Sequence, residues 1–323
     1  MGAYILRRLL ISIPVLFGIS ILGFVLLKNV PGDPLLAQMD PERLASLDPL
    51  ALAAERHRFG LDQPILVQYV AWLSNVLHGD FGYSILTRRE ILGEVLGPRI
   101  PQTLFLMLTA FAIAIAVGIP IGVITAVRQY SKADYTLNAT AMFAASTPVF
   151  VLGLIGIYVF AVRLHWLPTG GLHTIGHDDL GDALVHLILP ASVLAIVNAA
   201  PLVRYTRASM LDVLTSDYIT TARSKGLLPR LVIVRHALRN GLIPIITLIA
   251  LLIPESVSGA VITEQVFNWH GMGQEAVFAA NNRDPSVMMG IILIVGVFVL
   301  AGNLVADIAY AYTDPRIRYD RAR

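Results

Sequence analysis

Six stretches of this sequence stay apolar over about the length of a bilayer core, and that constrains the fold more than any other feature. They cover residues 9–27, 104–126, 136–162, 187–203, 243–262 and 287–310. A hydrocarbon core about 30 Å thick takes roughly 20 helical residues at 1.5 Å each. Lipid offers no water to backbone N–H and C=O groups, so runs of this kind are expected as helices that satisfy their own backbone. The expected class is an all-α polytopic membrane protein with six transmembrane helices. Composition agrees, since 56% hydrophobic and 14% charged residues in a 323-residue chain are incompatible with a soluble domain. A net charge of +2 argues for neither nucleic acid nor acidic substrates as partners, and the absence of cysteine removes disulfides, thiolate metal sites and a cysteine nucleophile.

The polar segments order the chain. Residues 1–8 carry Arg7 and Arg8, and residues 28–101 form a long excursion that opens with PGDP and is too hydrophilic to span. Inside it Asp62 and Pro64 start a helix with Ile65, Tyr69, Trp72 and Val76 as one stripe, and Gly79 stops it. At about 14 residues that helix is expected on the membrane or packed over the bundle. Basic residues mark one side: Arg128 and Lys132, seven from Arg204 to Arg239, and Arg316, Arg318, Arg321 and Arg323. The short loops on the other side hold almost none, with no Lys or Arg over 165–186 and Arg283 alone over 264–286. The bias predicts cytoplasmic termini, an extracytoplasmic 28–101 segment, a transmembrane core over 102–311 with a cytoplasmic loop 204–241, and a cytoplasmic tail 312–323.

The loop contains ordered helix punctuation. Ser216 is placed to cap a helix, Asp217 puts charge in its first turn, Arg223 and Lys225 sit in its last, and Gly226 follows as a left-handed stop. Tyr218, Ile219 and Ala222 are expected on one face. A second helix is expected from Pro229 to Asn240, ended by Gly241, which makes an elbow; the alternative is an ordinary basic loop.

Chemistry within the spans is sparse. Pro120, Pro148, Pro190, Pro201 and Pro254 interrupt the apolar runs, as tolerated in helices around a cavity. Gly118 and Gly122, in GIPIG, would let two helices approach closely. Glu255 follows Pro254 near mid-span, and with Asn198, Ser256 and Ser258 it is a candidate to line a translocation pathway, interhelical hydrogen bonding being the alternative. Asp307, near the cytoplasmic end, is expected in an ion pair with Arg316 or at the membrane interface rather than in transport chemistry. His173, His177 and Asp178 have a spacing that could hold a metal on a helix, but Gly176 favours a solvated loop, so no metal ligand is assigned. No GxxxxGK[ST], GxSxG or HExxH is present, so neither a phosphate-binding loop nor an intramembrane hydrolase is supported, and the chain is not read as an enzyme.

Thr220-Thr221-Ala222, three further residues and Gly226, with Ala237-Leu238 beyond, resemble the EAA loop of ABC importer permeases. Thr220 stands where the general pattern has Glu, and Arg239 where it has Pro. YITTARSKG followed by HALRNGLIP is similar to the peptide/nickel branch of that family. The N-terminal YILRRLLISIPVLFGISILGFVLLKNVPGDP, then FGLDQPILVQYVAWLSNVLHGDFGYS, TEQVFNWHGMG and DPRIRYD extend the resemblance over nearly the whole chain, to the first permease of dipeptide, oligopeptide and nickel importers. His270 and Met272 depart from residues usual there, Pro and Leu. The resemblance implies a type I importer in a bacterial or archaeal plasma membrane. A second homologous permease, two cytoplasmic ATPases and an extracytoplasmic solute-binding protein would be its partners, with membrane lipid around it. ATP and Mg would be bound by the ATPases and no cofactor by this chain. Asp217, Tyr218, Ile219, Ala222, Arg223, Lys225 and Gly226 would couple to the ATPase, and cargo would be a di- or oligopeptide, nickel or a related solute. A stand-alone ion-coupled carrier is the rival, but such carriers show repeated halves and midplane carboxylates, and here no repeat is visible and one such carboxylate exists.

Overall fold

The computed structural model describes residues 2–30, 49–58, 60–177 and 179–313; in places, residues 253–259 among them, it describes the backbone and not the side chain. PGDP at 31–34, Asp178 and the arginines from Arg316 onward lie outside the described residues, as does the expected Asp307–Arg316 pair.

The described residues are helical apart from turns and one isolated bridge, Tyr83 with Glu90. In order come α1 (Gly2–Lys28), α2 (Pro49–Arg58) and α3 (Ile65–Leu77). A π-helical turn, Ile91–Leu96, precedes α4 (Arg99–Val127), followed by α5 (Lys132–Ser146) and α6 (Val149–Arg163). Then follow α7 (Leu180–Leu214), α8 (Asp217–Ser224), α9 (Pro229–Gly241), α10 (Ile243–Val266), α11 (Met272–Asn281) and α12 (Pro285–Thr313). Among these, α1, α4, α7 and α12 are each long and apolar enough to cross a membrane, and two bent pairs bring the count of spans to as many as six.

Two of the expected spans have a different form. Residues 136–162 are not one rod, because α5 and α6 meet at 107°. Pro148 has no N–H to continue α5 and drives Thr147 to an extended φ −91, ψ 126, so the chain must turn there. The span expected over 187–203 is the middle of a 35-residue helix, and residues 204–214, expected as the start of the polar loop, are its last turns. Thr206 and Met210 are fully buried on that extension, so side-chain packing carries the helix on through Arg204 and Arg207.

The chain divides into two compact units. One comprises residues 1–103 and 270–298, and its core gathers Ile91, Val95, Leu96, Met272, Ala279, Val287 and Ile291. Within it Asp284, 2% exposed, accepts from Ser84 Oγ at 2.6 Å, from Leu86 N at 3.2 Å and from Val287 N at 3.2 Å. Arg99 meets buried Glu275 at 2.7 Å, and Met272 N donates to Thr103 Oγ1 at 2.8 Å. The expected packing of α3 over the bundle is present as an aromatic contact of Tyr69 and Trp72 with Phe24 of α1.

The other unit comprises residues 104–269 and 299–323 and is built around α7, whose Leu187, Ala191, Leu194, Ala195, Ala199 and Leu202 join Leu106, Ala110 and Ala114 of α4 and Ile245 of α10. The GIPIG pair does what its spacing suggested. A Cβ on Gly118 would fall 2.9 Å from Leu202 Cβ, and one on Gly122 2.5 Å from Thr206 Cβ, so α4 and α7 touch at backbone distance.

Candidate functional site

The elbow grows out of the end of α7. Thr215 and Ser216 must end one helix and begin another within two residues, so their hydroxyls serve the orphaned carbonyls of α7: Thr215 Oγ1 donates to Asp212 O at 2.9 Å and Ser216 Oγ to Val213 O at 2.6 Å. Ser216 therefore holds the expected N-cap position, at φ −73 and ψ 151, but its side chain makes no cap hydrogen bond. The proton goes to the preceding helix instead.

The predicted common face of α8 is divided. Ile219 and Ala222 are buried against Met210 of α7 and Val232 and Ala237 of α9. Tyr218 is 43% exposed, and its hydroxyl accepts from Asn240 Nδ2 of α9 at 3.0 Å. It stands about 100° around the helix from Ile219, where the phenol reaches a polar partner that the apolar seam lacks. Ile219 and Ala222 thus fasten the elbow internally, while Asp217, Tyr218, Thr220, Thr221, Arg223, Ser224 and Lys225 form the exposed side. Gly226 turns the chain at φ +73, and open space surrounds the position of a Cβ there. The requirement for glycine at 226 comes from backbone conformation and not from crowding.

Helix α9 meets α10 at 51° and is clamped to α7. Ser209 Oγ donates to Gly241 O at 2.8 Å, and a Cβ on Gly241 would fall 2.8 Å from Met210 Sδ. One helical turn back, Arg207 Nε and Nη2 both bond the Asp134 carboxylate at 2.8 Å, and Asp134 also accepts from Tyr130 N and Asn138 Nδ2. Asp134 is 3% exposed and anchors the first turn of α5, where Ser131 Oγ caps Asp134 N at 3.2 Å. Sequence reasoning missed this pair. The S-x-x-D at 131–134 signals the helix start, but its partner lies 73 residues away. Missed too is an exposed apolar row, Leu228, Leu231 and Val234, beside Arg230 and Arg235; its three-residue spacing is visible in LLPRLVIV.

The remaining candidates are not gathered at the elbow. Asn198 is 8% exposed, inside the packed helices around α7. Glu255, Ser256 and Ser258 lie on α10, which runs through Pro254 without a break, and their side chains are outside the description. His173 lies in a turn-rich loop where Gly176 has φ +88, and its Nδ1 is 3.7 Å from Asp182 Oδ2. That loop is tied to the end of α10 by Gly171 N donating to Phe267 O at 2.8 Å. A cavity of about 990 Å³ lies in the first unit, lined by Phe24, Lys28, Trp72, Arg88, Asp284 and Met289 among others, and none of the site candidates named from sequence lines it.

Comparison with known proteins places this geometry. Residues 118–319 match the model of the binding-protein-dependent transport system inner membrane component, and residues 1–107 match its N-terminal companion. The oligopeptide transport system permease protein AppB of Bacillus subtilis is 46% identical over 99% of this chain and 100% of its own length. The di/tripeptide transport system permease protein DppB of Pseudomonas aeruginosa is 39% identical over 99% of this chain and all of its own. In fold, the chain is similar to an inward-facing structure of the MetNI methionine ABC transporter, at a TM-score of 0.57 and 16% identity, covering 68% of this chain and 96% of that one.

Proposed function

This chain belongs to the binding-protein-dependent transport system inner membrane components, and from that premise we propose that it is one permease subunit of a peptide importer driven by partner ATPases through its α8–α9 elbow. The cargo class, di- or oligopeptides, follows from what its full-length relatives are named for. A second, homologous permease completes the pathway, two ATPases bind ATP and Mg on the cytoplasmic side, and a solute-binding protein delivers substrate from the opposite face. The chain itself binds no cofactor. Both termini and the elbow are cytoplasmic, in keeping with the bias of basic residues. Glu255, Ser256 and Ser258 on α10 line the pathway.

One observation carries the reading: the elbow fastens its apolar side to its own α7 and keeps a polar and basic side free. A permease without a nucleotide site gains energy only from contacts that differ between two states of a partner, so its docking element must move as one body with a spanning helix. Met210, Ser209 and Arg207 on the last turns of α7 provide that linkage to α8, α9 and α5. Partner contact falls to Asp217, Tyr218, Arg223 and Lys225, and Ala222 serves the internal seam.

The test uses exposed positions, where substitution leaves the elbow folded. Arg223→Glu and Lys225→Glu in the reconstituted importer are expected to retain the second permease, yet to lose uptake and substrate-stimulated ATP hydrolysis. Wild-type values for both variants would show that the exposed side of the elbow contacts no ATPase. Orientation is read separately, because the chain has no cysteine. A single cysteine at exposed Thr169 should react with an impermeant reagent in sealed cells and one at exposed Thr221 should not.

A further inference from the structure

The contacts of α3 (Ile65–Leu77) set its depth. Tyr69 Oη lies 2.8 Å from Ser20 Oγ in a buried contact, and Ser20 donates to Phe17 O at 2.8 Å, so the tyrosine hydroxyl is the donor to Ser20. The Tyr69 ring meets Phe17 at 6.1 Å and Phe24 at 5.3 Å, and Trp72 meets Phe24 at 6.3 Å. Along α1, Ser20 lies eight residues before Lys28, about 12 Å of helix, and Phe17 about 16 Å. The span Ile5–Lys28 ends at that lysine. Half of a hydrocarbon core is about 15 Å, so the Tyr69 ring reaches close to the bilayer midplane.

The rest of α3 fits that depth. Residues 65–77, ILVQYVAWLSNVL, carry no charged side chain, and polar residues flank both ends, Asp62 and Gln63 before and His78 and Asp80 after. Thirteen residues span about 20 Å, too short to cross, so the chain must enter and leave on one side. The C-terminal carbonyls are satisfied locally, as hydrocarbon demands: His78 Nδ1 donates to Ser74 O at 2.7 Å and Asp80 N to Asn75 O at 3.0 Å, while the N-terminus, which no side chain caps, lies at the polar Asp62 and Gln63. One open side of α3 carries Leu66, Val70 and Leu77, 78%, 63% and 78% exposed, with Ser74 between the last two. It continues the open surface of α1 itself, where Leu22 and Leu26 are 64% and 68% exposed.

We propose that α3 is a re-entrant helix seated in the leaflet at the Lys28 end of α1, with Leu66, Val70 and Leu77 against lipid acyl chains. Continuity with the open apolar side of α1, a helix long and apolar enough to cross a membrane, selects acyl chains over a protein as the occupant. With both termini cytoplasmic, that leaflet is the outer one.

Single cysteines at Leu66, Val70 and Leu77, with Asp62 as the aqueous control, can carry a nitroxide in the full importer reconstituted in vesicles. These side chains are exposed, so the labels do not disturb the fold, and retained uptake identifies the chains to be read. Oxygen, which concentrates in hydrocarbon, should relax the labels at 66 and 70 strongly while a water-soluble nickel chelate has no effect, and position 62 should show the reverse. Relaxation by the chelate at 66 and 70 would put α3 in water and overturn the proposal. Protection from both reagents would put a protein partner on this face and overturn it equally.

Discussion

The elbow and the first unit's 80–103 and 272–290 segments are both breaks in a chain of apolar spans, yet they are held in opposite ways. The elbow closes on a seam of Ile219, Ala222, Met210, Val232 and Ala237, and its polar groups stay outside. The first unit instead buries its polar groups: Asp284 gathers three donors, Glu275 meets Arg99, and Thr103 holds the first N–H of α11. Apolar contacts are non-directional and leave a surface free to meet a partner. Buried hydrogen bonds fix one geometry and are costly to leave half made. The first arrangement suits a part that must transmit force, the second a part that must keep its shape.

The largest effect is expected where that polar pinning is densest. Asp284→Ala strands Ser84 Oγ, Leu86 N and Val287 N, at about 1–3 kcal/mol for each donor that water cannot reach. Hydrogen exchange should show lost protection at Leu86 and Val287 with the elbow amides unchanged. Undiminished protection would mean that the directional bonds are not what holds this region.

Next comes the apolar seam. Ile219→Ala opens a cavity against Met210 at about 2–4 kcal/mol and should loosen α8 while leaving Leu86 protected. Since α8 then no longer moves with α7, ATP hydrolysis should continue without uptake. Coupled transport at wild-type level would show that the seam is dispensable.

How far these two regions could be read in advance follows from the range of the interactions. The boundaries of α8 and α9 were legible because Gly226 and Pro229 act within a turn, and α1, α4 and α12 because hydropathy is local. The contact of α4 with α7 was legible from one side only, through Gly118 and Gly122. The bond from Ser84 to Asp284 joins residues 200 apart and that from Arg207 to Asp134 joins residues 73 apart, and no local pattern pairs them. The burial of Ala222 depended likewise on Met210 and Ala237, which proximity in sequence does not supply.

A smaller and pH-dependent effect separates the two kinds of polar contact inside the first unit. Burial, and secondarily the charge of Asp284, raise the Glu275 pKa from its ordinary value, and Arg99 opposes this without cancelling it. A carboxyl whose folded pKa is raised contributes most below its unfolded pKa and loses that contribution as pH rises through the folded value. Glu275→Gln, which mimics the protonated form, should match wild-type stability in acid and equal or slightly exceed it at neutral pH, in contrast to Asp284→Ala. Thermal unfolding of the purified subunit across that range checks the sign, and a variant that is less stable only at neutral pH would show that the ion pair is net favourable.

The smallest effect concerns the start of α8. Loss of a serine N-cap ordinarily costs about 1 kcal/mol, because the hydroxyl satisfies an N–H of the first turn. Ser216 makes no such bond; its hydroxyl donates to Val213 O, and its own carbonyl accepts from Ile219 N at 3.1 Å and Thr220 N at 3.2 Å. Ser216→Ala should therefore loosen the end of α7 by a few tenths of a kcal/mol, at the low end for a half-exposed hydrogen bond, and leave exchange in α8 unchanged. Ser216→Asp should do more than serine does, because a carboxylate cannot donate to Val213 O and is free to accept from the first-turn N–H groups and to face the positive end of the helix. Slower exchange of the Tyr218 and Ile219 amides in Ser216→Asp, against no change in Ser216→Ala, is the expected pair of results. Faster α8 exchange in the alanine variant would mean that serine caps α8 after all, and the elbow would then depend on a directional bond as the first unit does.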